Sequence, residues 1–495
     1  MQFLQLHARD NVAVALQALE KGEKIEGANV SVVLVDDIPA GHKFALSDLQ
    51  PGDTVVKYGA AIGEVVEAIR AGAHVHVHNA KTRLSGLEDY NYQPEQLLAT
   101  NPDNQEFFDG YRRANGKVGT RNEIWVISTV GCVAKLAERI AAAAEARFGD
   151  ACDGIVAFTH PHGCSQTGGD HENTKLISSA LAQHPNAGAV LFVGLGCENN
   201  QIKDLIKEIP EDRCDRVRYF NCQQVEDELE TGLECIAELV DIVRHDKRTP
   251  CPLSDLVVGM KCGGSDGFSG LSANPLVGRI SDWVAAASGS VILTEVPEMF
   301  GAEQILMNRS ESKDVFDSVV HLINDFKQYF IDYKQNIYEN PSPGNKAGGI
   351  TTLEEKSMGA IQKGGIATVT DVLQYAEPVK KKGLSLLQGP GNDAVSSTAL
   401  SASGATLILF TTGRGTPLGF PAPTIKISSN TNLAESKPKW IDFNAGAVFE
   451  DGNGLDKVAE DFKKKIIDIA SGRVKTRSEL NQQREIAIWK NGVTL

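Results

Sequence analysis

Nothing in the 495 residues reaches the run of about 18 apolar residues that a membrane span needs, so none is expected. The N-terminal MQFLQLHARDN has no basic segment leading into an apolar core, which argues against a secretory leader. No basic stripe offsets the formal net charge of −15, and this argues against a nucleic-acid partner. An anionic substrate would then have to be met by locally placed cations or a metal. Nucleotide motifs are missing too. No Gly-x-Gly-x-x-Gly follows a strand, Gly413-Arg414-Gly415 lacks the third glycine, no P-loop occurs, and the Gly-x-Ser-x-Gly letters at Gly263–Gly267 are not read as a nucleophile elbow. Nicotinamide dehydrogenases, kinases and α/β-hydrolases are therefore poorly supported. There is no repeat at solenoid period and no low-complexity tract.

What is present points to a soluble α/β enzyme. A chain this long implies several domains, and its 47 glycines suit many tight strand-to-helix loops. Residues 1–80 read as a small β-rich domain, with strand candidates FLQLH, VSVVLV, DTVVKYG and HVHVHN between turn residues. Residues 81–110 are polar, broken by Pro94 and Pro102, and read as a linker. From 111 to 250 strands alternate with helical patterns, the rhythm of a parallel sheet. The third region, 251–495, has strand candidates LVVGM, SVILTE, IATVTDVL, LSLLQG, ATLILFTT and PTIKISS.

Nine cysteines, an odd number, fit reduced thiols in a cytoplasm better than a disulfide framework. Four of them share a setting. EIWVISTV ends at Gly131-Cys132, GIVAFTH runs into Gly163-Cys164, AVLFVGLG ends at Cys197-Glu198, and VVGMKC ends at Cys262 before the glycine-rich turn GGSDGFSG. Cysteines delivered by strand ends into glycine loops are expected to meet in one crevice, as ligands do in open α/β sheets. With His160 they form a candidate metal set: His160, Cys164, Cys197, Cys262 and Cys132. Cys152, Cys214, Cys222, Cys235 and Cys251 lack that context and read as structural.

The other candidates follow from residue type. His74, His76 and His78 alternate with apolar residues and would share one face of a strand, and a turn carries His42 and Lys43. Asn340–Ser357 is a Pro/Gly loop leading into a helix start, where Thr351 with Glu354 or Thr352 with Glu355 gives a capping-box pattern. Arg414 is the candidate carboxylate clamp, because a guanidinium can pair both oxygens. Lys346, Asp266, Glu198 and His42 are candidate acid, base or hydroxyl-orienting groups. Ser265, Asn345, Thr416 and His76 are candidate substrate contacts. This inventory suits metal-assisted proton abstraction next to a carboxylate, followed by loss of a β-hydroxyl.

The same residues carry a family resemblance. GHKFAL at 41–46, KYG at 57–59, HVHVHN at 74–79, YRRANGKVGTRNE at 111–123, GCSQ at 163–166 and GLGCENNQ at 194–201 belong to it. So do CGGSDGFSG at 262–270, EVPEMFGAEQ at 295–304, NPSPGNKAGG at 340–349 and TTGRGTP at 411–417. Together they resemble the altronate and galactarate dehydratases across essentially the whole chain. His162 departs from the tyrosine expected before Gly163, so no family role is carried onto it.

The resemblance implies an N-terminal SAF-type (β-clip) domain, a Rossmann-like C-terminal region and a homodimer. It also implies dehydration of D-altronate to 2-dehydro-3-deoxy-D-gluconate, with galactarate or a related sugar acid as the alternative. The implied cofactor is Fe(II), with Mn(II) as a substitute. The cysteines themselves leave an iron–sulfur cluster as a second possibility, and a non-catalytic sugar-acid binding protein is the rival of another class.

Overall fold

The computed structural model describes residues 2–27, 30–95, 98–99 and 106–495. Its N-terminal part is built of short antiparallel pieces. Phe3–Leu4, Val12–Ala15, Lys43–Ala45 and His74–Val75 form one sheet. Lys24–Gly27 pairs with Val30–Val33, and Thr54–Lys57, Ala60–Val65 and Ala80–Lys81 make a third sheet. Alternation of buried and exposed residues in Val30–Val33 is the period-two pattern of a half-buried strand.

The middle region is a four-stranded parallel sheet, ordered Ile155–Phe158, Glu123–Ser128, Ala187–Gly194, Val217–Asn221. Its two central strands are buried throughout, as expected of parallel strands covered on both faces. One covering helix, Gly168–Ala182, has a polar first turn. Its Asp170 is buried and caps backbone N–H groups of Asn491 and Gly492 instead of facing solvent.

The C-terminal region is a seven-stranded parallel sheet. Its order is Val369–Leu373, Gly383–Leu387, Ser290–Leu293, Val257–Cys262, Leu407–Thr412, Thr424–Ser428, Phe443–Asn444. All six strand candidates of this region are in it. Val257–Cys262 lies in the centre, so the GGSDGFSG turn leaves the middle of the sheet's carboxyl edge.

Two expectations need correction. The stretch 81–110 is not a free linker in its described parts. Tyr90 donates to Glu303 (2.5 Å), Tyr92 to Ser310 O (3.1 Å), and Phe107–Arg112 is a strand paired with Thr249–Pro252. The aromatic hydroxyls tie an otherwise polar segment to the third region, which hydrophobic periodicity cannot reveal. Residues 96–97 and 100–105 of that stretch lie outside the described residues. The histidine strand is also shorter than its alternation suggests: only His74–Val75 is extended. Asn79 ends it, donating to His74 O (2.9 Å) and accepting from His76 N (2.9 Å), so His76 and His78 lie on a turn.

Candidate active site at the domain junction

Three glycine-bearing turns meet where the N-terminal domain docks on the carboxyl edge of the seven-stranded sheet. Gly267 N donates to Gly348 O (2.7 Å), and a Cβ on Gly267 or Gly349 would overlap the carbonyl oxygen of Gly41. Only residues without a side chain allow this approach. The lock brings His42 over the 345–349 turn, with its Nε2 3.4 Å from Ala347 O.

Lys43, the next residue, points inward and is fully buried. Its Nζ donates to Gly349 O (2.8 Å), Thr351 Oγ1 (2.8 Å) and Glu355 (2.9 Å), while Lys57 reaches the other Glu355 oxygen at 2.8 Å. Burial opposes ionisation of Glu355, but the two ammonium groups outweigh it and hold its pKa at about 2. Burial, only partly offset by Glu355, lowers Lys43 to about 8. One carboxylate thus binds two cations of the small domain.

Beside this pin the imidazoles gather. Ring centroids of His42 and His74, and of His42 and His76, are 5.1 Å apart, and those of His74 and His76 5.5 Å. His42 Nδ1 and His74 Nε2 are separated by 3.0 Å, and His76 Nδ1 meets Thr351 Oγ1 at 3.2 Å. Burial lowers His74 to about 3, with His42 adding to the effect, and His76 to about 4, with Lys43 adding. All three rings are therefore neutral near pH 7 and have nitrogen lone pairs to offer.

Behind the turns lies a buried charge cluster. Cys262, Glu295 and Glu298 bring one ligand atom each within 4.8 Å of one another. Cys262 Sγ is 2.8 Å from Glu298 and 3.3 Å from Glu295. Lys261 pairs with Glu295 and with Asp393 (2.9 Å), and Lys356 with Glu298 (2.8 Å), Asn340 (3.0 Å) and Asn345 (3.3 Å). Burial first, then Glu295 and Glu298, push the Cys262 thiol well above its ordinary range. Glu295 itself has a left-handed backbone, φ 69°, the kind of costly conformation that persists where surrounding contacts over-determine it.

These two donor sets differ in their fitness for a divalent metal. At Cys262 the carboxylates already balance buried lysines, and burial with those carboxylates raises the thiol. At His42 and His74 the donors are neutral, His42 buried and His74 half-buried. Neighbouring ligands of an octahedral ion with bonds of about 2.1 Å stand about 3 Å apart, which matches the His42–His74 separation of 3.0 Å. The imidazole set offers two nitrogens at metal-ligand spacing, whereas the cysteine–carboxylate set is the only one among the described residues with three donor atoms within 4.8 Å.

The predicted site residues therefore divide. His42, His76, Ser265, Asn345, Lys346 and Asp266 meet at the junction, Asn345 donating to Ser265 O (2.8 Å). Arg414 is exposed and borders the same turn, its Cβ 3.1 Å from where a Cβ of Gly264 would be, with Thr416 two residues on. Asp266 is committed to holding the turn: Ser269 N and Oγ (both 2.9 Å), Ser429 Oγ (2.8 Å), Phe268 N (3.1 Å) and Asn430 Nδ2 (3.0 Å) all donate to it. Glu198 does the same in the middle region, accepting from Thr129 Oγ1 (2.6 Å), Leu195 N (3.0 Å) and Gly196 N (2.6 Å). Neither carboxylate has the free oxygen that acid–base work requires.

The four-cysteine crevice is not formed. Cys132, Cys164 and Cys197 follow strands of the four-stranded sheet, whereas Cys262 ends a strand of the other sheet and is buried. Strand-end placement is a local signal and does not say which sheet a strand joins. His160 stays with the first group; it is buried, lowered to about 4 by burial, and its Nδ1 accepts from His162 N (3.2 Å).

Sequence reasoning missed Lys57, Lys261, Glu295, Glu298 and Lys356 as site residues. The Thr352–Glu355 capping pattern was the available clue to Glu355. Thr352 does cap the helix Leu353–Ala360, but Glu355 sends its carboxylate to the lysines and to Thr351 N (2.8 Å), not back to the cap. A capping glutamate directed away from its own helix marks a tertiary role.

Comparison with known proteins agrees along the whole length. An altronate/galactarate dehydratase SAF domain model matches residues 1–83, and a D-galactarate dehydratase/altronate hydrolase second-domain model matches 110–244. A D-galactarate/altronate dehydratase C-terminal model matches 253–494. Altronate dehydratase of Bacillus subtilis (strain 168) is 50% identical over 497 residues, covering 100% of this chain and 99% of that protein. Altronate dehydratase of Escherichia coli (strain K12) is 50% identical over 498 residues, covering 100% of both. Galactarate dehydratase (L-threo-forming) of Escherichia coli (strain K12) is 33% identical over 498 residues, covering 96% of this chain and 94% of that protein. The chain belongs to the altronate/galactarate dehydratase family.

Proposed function

We propose that this protein is a hydro-lyase that converts D-altronate to 2-dehydro-3-deoxy-D-gluconate and water at the junction of its SAF domain and its seven-stranded sheet. The observation that carries this reading is the group of neutral imidazoles, His42, His74 and His76, locked over the Asn345–Lys346 turn. Full-length identity of 50% to two altronate dehydratases, against 33% to a galactarate dehydratase, supports the substrate.

His42 Nδ1 and His74 Nε2, with His76 beside them, would hold Fe(II), or Mn(II) in its place. When bound, such an ion acts as a Lewis acid that stabilises negative charge on an enediolate. The chain's own groups do the rest. Arg414, exposed at the edge of the Gly264–Ser265 turn, pairs the substrate carboxylate through both nitrogens. Asn345 fixes that turn through Ser265 O, and Lys356 behind it holds Asn345 from its oxygen side. Lys346 Nζ, on the same short helix as Asn345, is the proton-transfer group, taking the α-proton and returning one to the departing β-hydroxyl. Lys43, Lys57 and Glu355 position His42 and His76 without touching substrate. Among the described residues no helix is long and apolar enough to cross a membrane.

The test is direct. Protein purified anaerobically and supplied with Fe(II) is offered D-altronate or galactarate, and 2-keto-3-deoxy acid formation is followed. Turnover of D-altronate well above galactarate is expected; equal turnover, or none with D-altronate, would reject the reading.

A further inference from the structure

The three cysteines left in the middle region occupy a built site of their own. Cys132, Cys164 and Cys197 follow three strands that are direct neighbours in the four-stranded sheet, so at about 4.8 Å per strand their loops span only about 10 Å. Each cysteine comes immediately after a glycine. Gly163 is left-handed (φ 101°), and a Cβ there would overlap Thr129 O, while a Cβ on Gly131 would lie 2.9 Å from the Pro161 backbone.

Hydrogen bonds fasten the loops to one another. Gly131 N donates to His162 O (2.8 Å), Asn200 N to Gly163 O (3.0 Å), Asn200 Nδ2 to Thr129 O (3.0 Å) and Ser165 N to Asn199 Oδ1 (2.8 Å). The Glu198 carboxylate ties Thr129 to Leu195 and Gly196. All three thiols are free and exposed, while Cys222, which follows the fourth strand, is buried in the core. Val130 and Val133, on either side of Cys132, pack into the core beneath, while the three thiols stay outside it.

We infer that Cys132, Cys164 and Cys197 together bind an iron–sulfur cluster, separate from the imidazole site at the domain junction. Soft thiolates select iron–sulfur clusters, zinc or copper(I). Spacing favours the cluster: sulfurs around a single zinc, with bonds of about 2.3 Å, stand about 3.8 Å apart. The trio is wider than that, since among the described residues only Cys262, Glu295 and Glu298 bring three ligand atoms within 4.8 Å. A cluster, with its thiolates on different irons, spans the greater distance. Three thiolates leave one iron of a four-iron cluster without a protein sulfur.

The test uses the full chain purified without oxygen, and after reconstitution with iron and sulfide. Iron, zinc and acid-labile sulfide are counted and the visible spectrum recorded. Stoichiometric sulfide with a broad band near 400 nm is expected, lost in each of Cys132→Ser, Cys164→Ser and Cys197→Ser. It should be retained in Cys235→Ser and in the His74→Ala/His76→Ala double variant. Far-UV circular dichroism checks that the serine variants fold, and maleimide labelling gives a second reading, the three thiols reacting only in cluster-free protein. Absence of sulfide after reconstitution, one zinc with no sulfide, or sulfide indifferent to all three substitutions would overturn the inference. Loss of the imidazole metal alone would not change the sulfide count, so failure of one site is distinguishable from failure of the other.

Discussion

Glu355→Gln is the perturbation that bears hardest on the junction. The carboxylate is 2% exposed and pairs at 2.9 and 2.8 Å with Lys43 and Lys57, themselves 1% and 2% exposed. Removing one partner of a buried pair costs about 3–5 kcal/mol, because the remaining charge stays buried without compensation. Lys43 relieves part of this by losing its proton, since burial already brings it to about 8. Lys57, which Glu355 holds above its ordinary value against burial, loses that support in the same variant. At 1.36 kcal/mol per decade the undocked state of the SAF domain gains about two to four powers of ten. Native-state hydrogen exchange on the full chain reads this as lost protection in the peptides holding 41–45 and 345–355, with little change in the four-stranded sheet. Turnover falls with it. A triple variant, Lys43→Met, Lys57→Met, Glu355→Leu, removes all three charges and should recover protection, because apolar replacement of a buried ion set is often neutral. Less than tenfold loss of protection in Glu355→Gln would refute the idea that this carboxylate pins the domain.

Three shorter predictions accompany it. Gly267→Ala forces a methyl group into the Gly41 carbonyl, so kcat/KM on D-altronate should fall at least 100-fold while the four-stranded sheet keeps its exchange protection; near-wild-type activity would mean the turns are not locked. Arg414→Lys keeps the charge and loses the fork, with an expected fall in kcat/KM of roughly 100-fold, or about 3 kcal/mol; a change under threefold would make Arg414 a bystander. His184 is fully buried, lowered to about 3 by burial, with Nε2 donating to Ala405 O (3.0 Å) and Nδ1 accepting from Asn186 N (3.0 Å). Its unfolded form takes a proton below about pH 6.5 and its folded form does not. Stability should therefore fall as pH drops from about 6.5 toward 3, and His184→Gln should flatten that part of a urea-denaturation profile; an unchanged slope would contradict the assignment.

Sheet membership and site residues were unequally legible in the sequence. The strands of both parallel sheets show as apolar runs ending at glycine turns, because burial on both faces leaves an unambiguous pattern. Alternation points to His74, His76 and His78 on one strand face, whereas His74 and His76 meet His42 through a turn stapled by Asn79. Alternation indicated the right residues for the wrong geometric reason. The pairing of Lys43 and Lys57 with Glu355 leaves no local trace, since the partners lie 312 and 298 positions apart. The cysteines show the opposite error. Four strand ends look alike locally, and only topology separates Cys262 from Cys132, Cys164 and Cys197.

In the proposed function a divalent metal and the chemistry belong to the imidazole group at the domain junction. Mn(II) is not selected by thiolates, so the cysteine site should not compete for it. The deciding measurement is the number of Mn(II) ions bound per full-length chain, counted by electron paramagnetic resonance of free Mn(II). The wild type should bind one ion tightly, and the folded His74→Ala/His76→Ala variant should bind none and turn over no D-altronate. An unchanged Mn(II) count in that variant would contradict the account.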